Sequence, residues 1–362
     1  MIGTEVVFSI AFHCGELRQA ADHFLFWTVT VIATIKTILL RFHQRKLMRN
    51  CNSAKADWLK EDDPESLVIM AHHAKVSRIV FIFQAMFSYF TLVMYVIAPM
   101  ASNLEEEQGL PLSTVCVFRN MSILEYQSVY VLQAVQQLYI VNGNIGTDYF
   151  FFAMIMHVCG QAQILSLRFK KFGSKGQKYE EEENMSIIES KVREEDFNEF
   201  HDLQSFRKIR VLINRHCELI ELADDLKESL TYILLVQFTM DIIMMCLTGL
   251  LTLIYLKQGD TVTAGRTICG FSIVVMSLFI YCYIGDYLQY RFERTTEAIY
   301  HCFWYSCSPK VSRNILHIQT RGRNLMNLTA GHFCNINLEM FKTAMKTAMS
   351  FFSVMRILLE KE

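Results

Sequence analysis

The amino-acid sequence predicts an all-α membrane protein with seven transmembrane helices. Hydrophobic side chains make up 52% of the 362 residues and charged ones only 20%. The mean hydropathy is positive, +0.22. Several nearly uncharged runs reach the roughly 20 residues that a helix needs to cross a hydrocarbon layer about 30 Å thick. With 4 prolines and 15 glycines, neither a disordered nor a collagen-like chain fits. A net charge of -1 provides no broad basic field, so no nucleic-acid partner is expected.

Taken in order, residues 5–12 are apolar but too short to span, and they lack the basic leader and small-residue cleavage site of a signal peptide. They read as an interfacial leader or as part of an incomplete first helix. Six full runs follow, at 21–40, 79–100, 121–167, 230–256, 268–284 and 333–359. Lys and Arg set their direction, because these charges stay on the cytoplasmic side of nearby spans. Residues 41–78 hold eight, 168–210 hold ten and 291–323 hold six, whereas the alternate connections hold only Arg18, Arg119, Lys257 and Arg266. The amino terminus is therefore expected inside and the carboxyl terminus outside. Of three Asn-x-Ser/Thr triplets, only Asn120 falls in an outer connection and is a glycosylation candidate, while Asn184 and Asn327 fall inside.

Two helices exceed what a bilayer requires. No proline interrupts 121–172 or 205–256, so each predicted helix reaches roughly 75 Å and projects into the cytoplasm. Ile209, Leu212, Ile213 and Ile220 recur at helical spacing on the lower part of the second, as expected for packing against other helices. Residues 173–199, with Glu180 to Glu183 consecutive, read as an acidic cytoplasmic loop. The 11 cysteines are scattered without any CxxC pair and read as small core residues. No metal ligand set, cofactor fingerprint or enzyme motif such as GxSxG, HExxH or a Walker loop is present, so no enzyme activity and no cofactor are expected.

The last third of the chain is more specific. Tyr281-Cys282-Tyr283-Ile284-Gly285-Asp286-Tyr287-Leu288, then Ala298-Ile299-Tyr300 with Trp304, Ala330-Gly331-His332-Phe333, Leu338-Glu339-Met340-Phe341 and Ser350-Phe351-Phe352 resemble the signature of insect odorant receptors. Upstream, Asp148, the stretch His157 to Gln161, and His216 before Glu218-Leu219-Ile220-Glu221 are similar to residues of that family in order and spacing. The resemblance implies a tuning receptor: the odorant-binding subunit of a ligand-gated, nonselective cation channel. It would form a heterotetramer with an obligate co-receptor in the plasma membrane, bathed by membrane lipid, on dendrites of olfactory sensory neurons. It also implies an outer ligand-binding bundle at roughly 15–150 and 230–285, a cytoplasmic anchor at roughly 150–230 and 285–330, and a pore helix at 332–359. A gustatory-type receptor channel is the alternative, and a G-protein-coupled receptor a more remote one, because the expected topology is inverted and DRY and NPxxY motifs are missing. The closing Ser350-Phe351-Phe352-Ser353-Val354-Met355-Arg356 favours the odorant branch.

Candidate site residues fall in two groups. On the last helix, Thr343, Thr347, Ser350 and Val354 lie within about 40° of one another, with Leu358 at the margin. Such a stripe either lines a wet path with a dry constriction or packs small-to-small between helices. By resemblance, Val354 and Leu358 match the family's gate valine and a nearby pore leucine. Lys342, Lys346 and Arg356 accompany them. The resemblance places a pocket for a small volatile molecule in the outer halves of helices two, three, four and six. The residues there are Phe24, Trp27, Thr28 and Val31; Phe87, Thr91, Met94 and Tyr95; Tyr130, Gln133 and Gln137; and Phe271, Ser272 and Val275. Asp148, Asp241 and Asp286 interrupt apolar runs and need partners, for which Lys36, His157 and Gln161 are suited.

Overall fold

A computed structural model describes residues 17–102, 122–172, 194–302, 304–306, 309–322, 327–331 and 333–361. The described residues form eight α-helices: α1 (Leu17–Phe42), α2 (Gln44–Lys60), α3 (Pro64–Ser102), α4 (Ile123–Lys171), α5 (Glu194–Gln258), α6 (Thr261–His301), α7 (Pro309–Gly322) and α8 (Leu338–Lys361). A short antiparallel ribbon, β1 (Thr329–Ala330) with β2 (Cys334–Asn335), precedes α8. Residues 5–12, Asn120, Asn184 and most of the acidic loop lie outside the described residues.

Helix boundaries follow local chemistry. Pro64 opens α3 at a position where its missing N–H costs nothing, and the preceding Asp63 carboxylate accepts from the Ser66 backbone at 3.2 Å and its hydroxyl at 2.7 Å. Ser122 and Glu125 form a reciprocal capping box at the start of α4. Asp260 caps α6 by accepting from the Thr263 N–H at 3.0 Å. It follows Gly259, whose φ of 78° closes the short turn from α5. The expected long helices are present, at 49 residues for α4 and 65 for α5. The first basic connection is itself mostly helix, α2 and the start of α3. The last apolar run, expected at 333–359, begins as ribbon. Helix α8 starts only at Leu338, where Asn337 accepts from the Met340 N–H at 2.9 Å.

Among the described residues, five helices are long and apolar enough to cross a membrane, in the segments Phe24–Phe42, Pro64–Ile97, Ile123–Lys171, Phe206–Gln258 and Thr261–His301. On α3 the exposed side chains Ile79, Ile82, Phe83, Met86, Phe90, Val93 and Ile97 recur at helical spacing. A stripe of that size needs an apolar solvent. Hydrocarbon supplies one.

Two apolar clusters hold the helices together. The larger joins α2, α4, α5, α6, α7 and α8, with Phe151, Phe169, Ile209, Leu234, Cys282 and Ile299 among its members. The smaller joins α1, α5, α6 and α8 through Leu25, Met245, Val274 and Ala348. Gly285 of α6 lies where the chain turns into α8: a β-carbon there would stand 2.3 Å from the Ile336 carbonyl oxygen. Only glycine allows that approach.

Candidate functional site

A cavity of about 200 Å³ lies between α1, α3, α4, α5 and α6. Its walls are largely aliphatic: Leu25, Val29 and Ile32 from α1, Leu92 from α3, Ile140, Val141 and Ile145 from α4, Met244 from α5, and Ile273 and Val274 from α6. Polar groups interrupt them. Lys36 donates to the Asp148 carboxylate at 2.5 Å, and the Tyr281 hydroxyl donates to the same oxygen. This pairing is what makes a cation tolerable at 2% exposure inside a bundle. One wall over, the Gln237 amide donates to Asp241 at 2.8 Å along α5. Gln84, Ser88, Thr91, Gln137, Asn144, Thr248 and Ser277 complete the polar lining. Tyr95 lies across one end, held edge-on by the Phe26 ring at 5.5 Å and under the Arg266 guanidinium at 4.9 Å. Arranged this way, the space suits a small, mostly apolar molecule held by dispersion and a few hydrogen bonds.

The cavity is tied physically to α8. Met244 and Val274 line it and also belong to the smaller cluster, which Ala348, Met345 and Phe352 of α8 join. The Phe352 ring lies 5.7 Å from the Phe271 ring and covers Gly249, where a β-carbon would stand 2.0 Å from it. Away from this contact, Thr343, Thr347, Ser350 and Val354 are exposed, as are Lys342 and Lys346. Each hydroxyl donates to its own helix four residues back. The side chain of Leu358 lies outside the described residues.

A sequence profile described as 7tm Odorant receptor matches residues 16–349. The chain belongs to this odorant receptor family. It is accordingly a multi-pass membrane protein, of a family of receptors rather than enzymes. It is 24% identical over 239 residues to Odorant receptor 2a of Drosophila melanogaster, covering 66% of this chain and 55% of that receptor. It is 22% identical over 287 residues to Odorant receptor Or1 of Anopheles gambiae, covering 76% and 66% respectively. The chain thus spans between half and two thirds of the length of these relatives. The olfactory receptor OR5 of Machilis hrabei has the same fold, with a TM-score of 0.74 at 12% identity over 98% of this chain and 86% of that one. The structure of OR5 in complex with eugenol gives 0.73 over 99% and 88%.

Of the pocket residues expected from sequence, Thr91, Tyr95 and Gln137 line the cavity. Phe24, Trp27, Thr28, Val31, Phe87, Met94, Tyr130, Gln133, Phe271, Ser272 and Val275 are placed outside its lining. Thr28 and Ser272 bond to backbone carbonyls of their own helices at 2.8 Å, Tyr130 donates to the Val96 carbonyl, and Phe271 and Val275 pack in the smaller cluster. Sequence reasoning missed the contribution of α5. Its signal was present, since Gln237 and Asp241 stand one helical turn apart inside an apolar run. Of the expected partners, Lys36 meets Asp148, whereas His157 and Gln161 belong to another network. There, Asp57 lies 3.0 Å from His157 and 2.6 Å from Arg215, which also donates to Gln161 at 3.0 Å. Burial opposes the Asp57 charge, but the His157 bond and the Arg215 charge outweigh it and hold this carboxyl below its ordinary range.

Proposed function

We propose that this chain is the odorant-binding subunit of a heteromeric ligand-gated, nonselective cation channel, formed with the odorant-receptor co-receptor and opened by a small volatile molecule. One observation carries the reading: a small apolar cavity whose wall is continuous with the packing of the last helix. A molecule filling the cavity presses on α5 and α6, and Phe352, wedged between Gly249 and Phe271, passes that displacement to α8. The opposite side of α8 then lines the pore, with Thr343, Thr347 and Ser350 along a wet path and Val354 and Leu358 as the dry constriction. The amino terminus is cytoplasmic, α2, α7 and the lower parts of α4 to α6 form the anchor, and Asn120 faces outside. Lys342 and Lys346 argue for a heteromer, because four copies would crowd like charge around one axis.

The test is recording from cells that express the chain with the co-receptor. Val354→Ser, which wets the constriction, is expected to raise resting current or alter ion permeability while the ranking of volatile ligands is kept. Wild-type resting current and permeability at normal surface density would make Val354 a packing residue and overturn the pore assignment. Robust current from the chain expressed alone would overturn the heteromeric one.

A further inference from the structure

Four polar atoms on the cavity's residues have no hydrogen-bond partner: Oε1 and Nε2 of Gln137, Oε1 of Gln237 and Oδ2 of Asp241. These residues are 4%, 6% and 4% exposed, so bulk solvent does not reach them. Lipid offers no remedy either, since hydrocarbon has no group to pair with. Unpaired polar groups at such depth cost enough that each demands an explanation.

Their chemistry is lopsided. Gln237 donates its amide N–H to Asp241, which fixes the flip of the amide and leaves its oxygen facing away. Asp241 keeps a second oxygen with no donor. Two acceptors therefore stand one turn apart on α5. Across the cavity, Gln137 offers one acceptor and one donor. The cavity's own cation, Lys36, donates to Asp148 rather than to these atoms, and Asp148 also accepts from the Tyr281 hydroxyl. Of the four atoms left unpaired, three are oxygens and one is a nitrogen.

We infer that the cavity selects a small amphiphile that brings a hydrogen-bond donor, a hydroxyl or amino group, on an apolar body, in preference to volatiles that carry only acceptors or no polar group. This inference rests on the odorant-binding reading above. The donor engages Asp241 Oδ2 or Gln237 Oε1, while Gln137 Nε2 donates back to the same heteroatom or to a second one. Size is bounded as well. A cavity of about 150 Å³ holds benzene, so about 200 Å³ admits a body only slightly larger. An ester or ketone of equal size satisfies Gln137 Nε2 alone and leaves both α5 acceptors stranded, and a site built to bond a donor rejects analogues that lack one.

The experiment records odour-evoked current from the full chain expressed with the co-receptor, using matched compounds: hexanol and hexylamine against hexanal, methyl pentyl ether and heptane, and cresol against anisole. Donor-bearing members are expected to act at concentrations about tenfold lower than their matched partners. Asp241→Asn, which exchanges an acceptor for a donor at nearly constant shape, should raise the response to hexanal relative to hexanol. Gln137→Met, which keeps volume and removes both polar atoms, should narrow the gap between the two classes, and it serves as the readout if Asp241→Asn fails to reach the surface. Hexylamine acting well below hexanol assigns the donor to an ammonium facing an ionised Asp241, and the reverse assigns it to a hydroxyl. Either result supports the donor requirement. Equal potency across a matched pair, rankings unmoved by both variants, or silence toward every donor at millimolar concentration overturns it. If acceptor-only volatiles act best and lose potency on Ile140→Phe, which fills the cavity, the odorant reading survives and this inference alone falls. If no compound's action depends on any lining residue, both fall.

Discussion

Where α4, α5 and α6 run alongside α2, buried charges are matched. Asp57 sits between His157 and Arg215, and the carboxylate of Asp225 meets Arg49. Where the same three helices pass α1 and α3, Lys36 is matched by Asp148, but Gln137, Gln237 and Asp241 are left with unpaired atoms around a void. The first region pairs its charges beside a dense core of side chains such as Phe169 and Leu234 at 0% exposure, although Asn50 Oδ1 and Gln161 Nε2 keep no partner there and an open cleft runs along Asp57, Gln161 and Arg215. The second keeps polar groups and space in hand. A bundle arranged this way is expected to be more rigid in the first half and more responsive in the second. Substitutions in the dense half should therefore cost stability, whereas those around the cavity should change ligand response at little cost to stability.

The largest effect is expected at the junction of the two regions. Gly285→Ala would place a β-carbon 2.3 Å from the backbone oxygen of Ile336, and a backbone atom cannot rotate aside as a side-chain tip can. The variant should fail to reach the cell surface, measured by surface labelling. Normal surface density would show that α8 can be reseated on α6 and that the junction is not rigid.

Next comes the charge-paired half itself. Arg215→Met leaves Asp57 buried with only His157, and breaking a pair of this kind costs about 3–5 kcal/mol. The purified protein should melt several degrees lower, and Asp57→Asn in the same chain should recover part of the loss. The network also sets a pH response. Folding lowers the Asp57 pKa, so its pairing contributes fully above the unfolded value of about 3.9 and is lost as pH falls through the lower folded value. Wild type should lose melting temperature on acidification below about pH 4 more steeply than Asp57→Asn does. Parallel curves would mean that this network adds no pH-dependent stability.

The same contrast explains what could be read from the sequence. The helices, the excess length of α4 and α5 and the amphipathic face through Ile209 follow from hydropathy and periodicity, which report burial against water. The cavity face did not follow. Residues 24–36 of α1 are apolar on nearly all sides, because one side meets lipid and the other meets protein. Periodicity therefore cannot separate Phe24, Trp27, Thr28 and Val31 from Leu25, Val29 and Ile32, one position round the helix. Polar residues in apolar runs were the better guide. Lys36 and Asp148 meet, and Asp241 with Gln237 marks the wall that aromatic spacing passed over. Which partner each would find depended on helix packing, as His157 shows by pairing with Asp57 of α2 rather than with an aspartate in an apolar run.

Smaller effects belong to the cavity. Thr91→Val removes a hydroxyl that donates to the Phe87 carbonyl at 3.0 Å, and it preserves shape. Melting should change by less than about 1 kcal/mol equivalent, while the concentration for half-maximal odour response moves several-fold. A melting loss as large as that of Arg215→Met would erase the distinction between the two regions.

The smallest effect, and the sharpest probe of where the cavity ends, is expected from Gly270→Ala. A β-carbon at Gly270 would stand 3.0 Å from the Tyr95 hydroxyl oxygen. That oxygen is the far end of a side chain, so the ring can tilt by a few tenths of an ångström where the Ile336 backbone cannot. Alanine also favours helix over glycine by about 1 kcal/mol, which offsets the crowding. Stability should therefore stay level or rise slightly. The tilt is constrained by Phe26 and Arg266 on the other faces of the ring, so Tyr95 moves toward the cavity or away from it as a unit. Potency should then shift about two- to threefold, more for the bulkier members of a ligand series than for the smaller ones, since only the former reach that end. A shift uniform across ligand size would mean that Tyr95 acts on α6 packing rather than as the end wall.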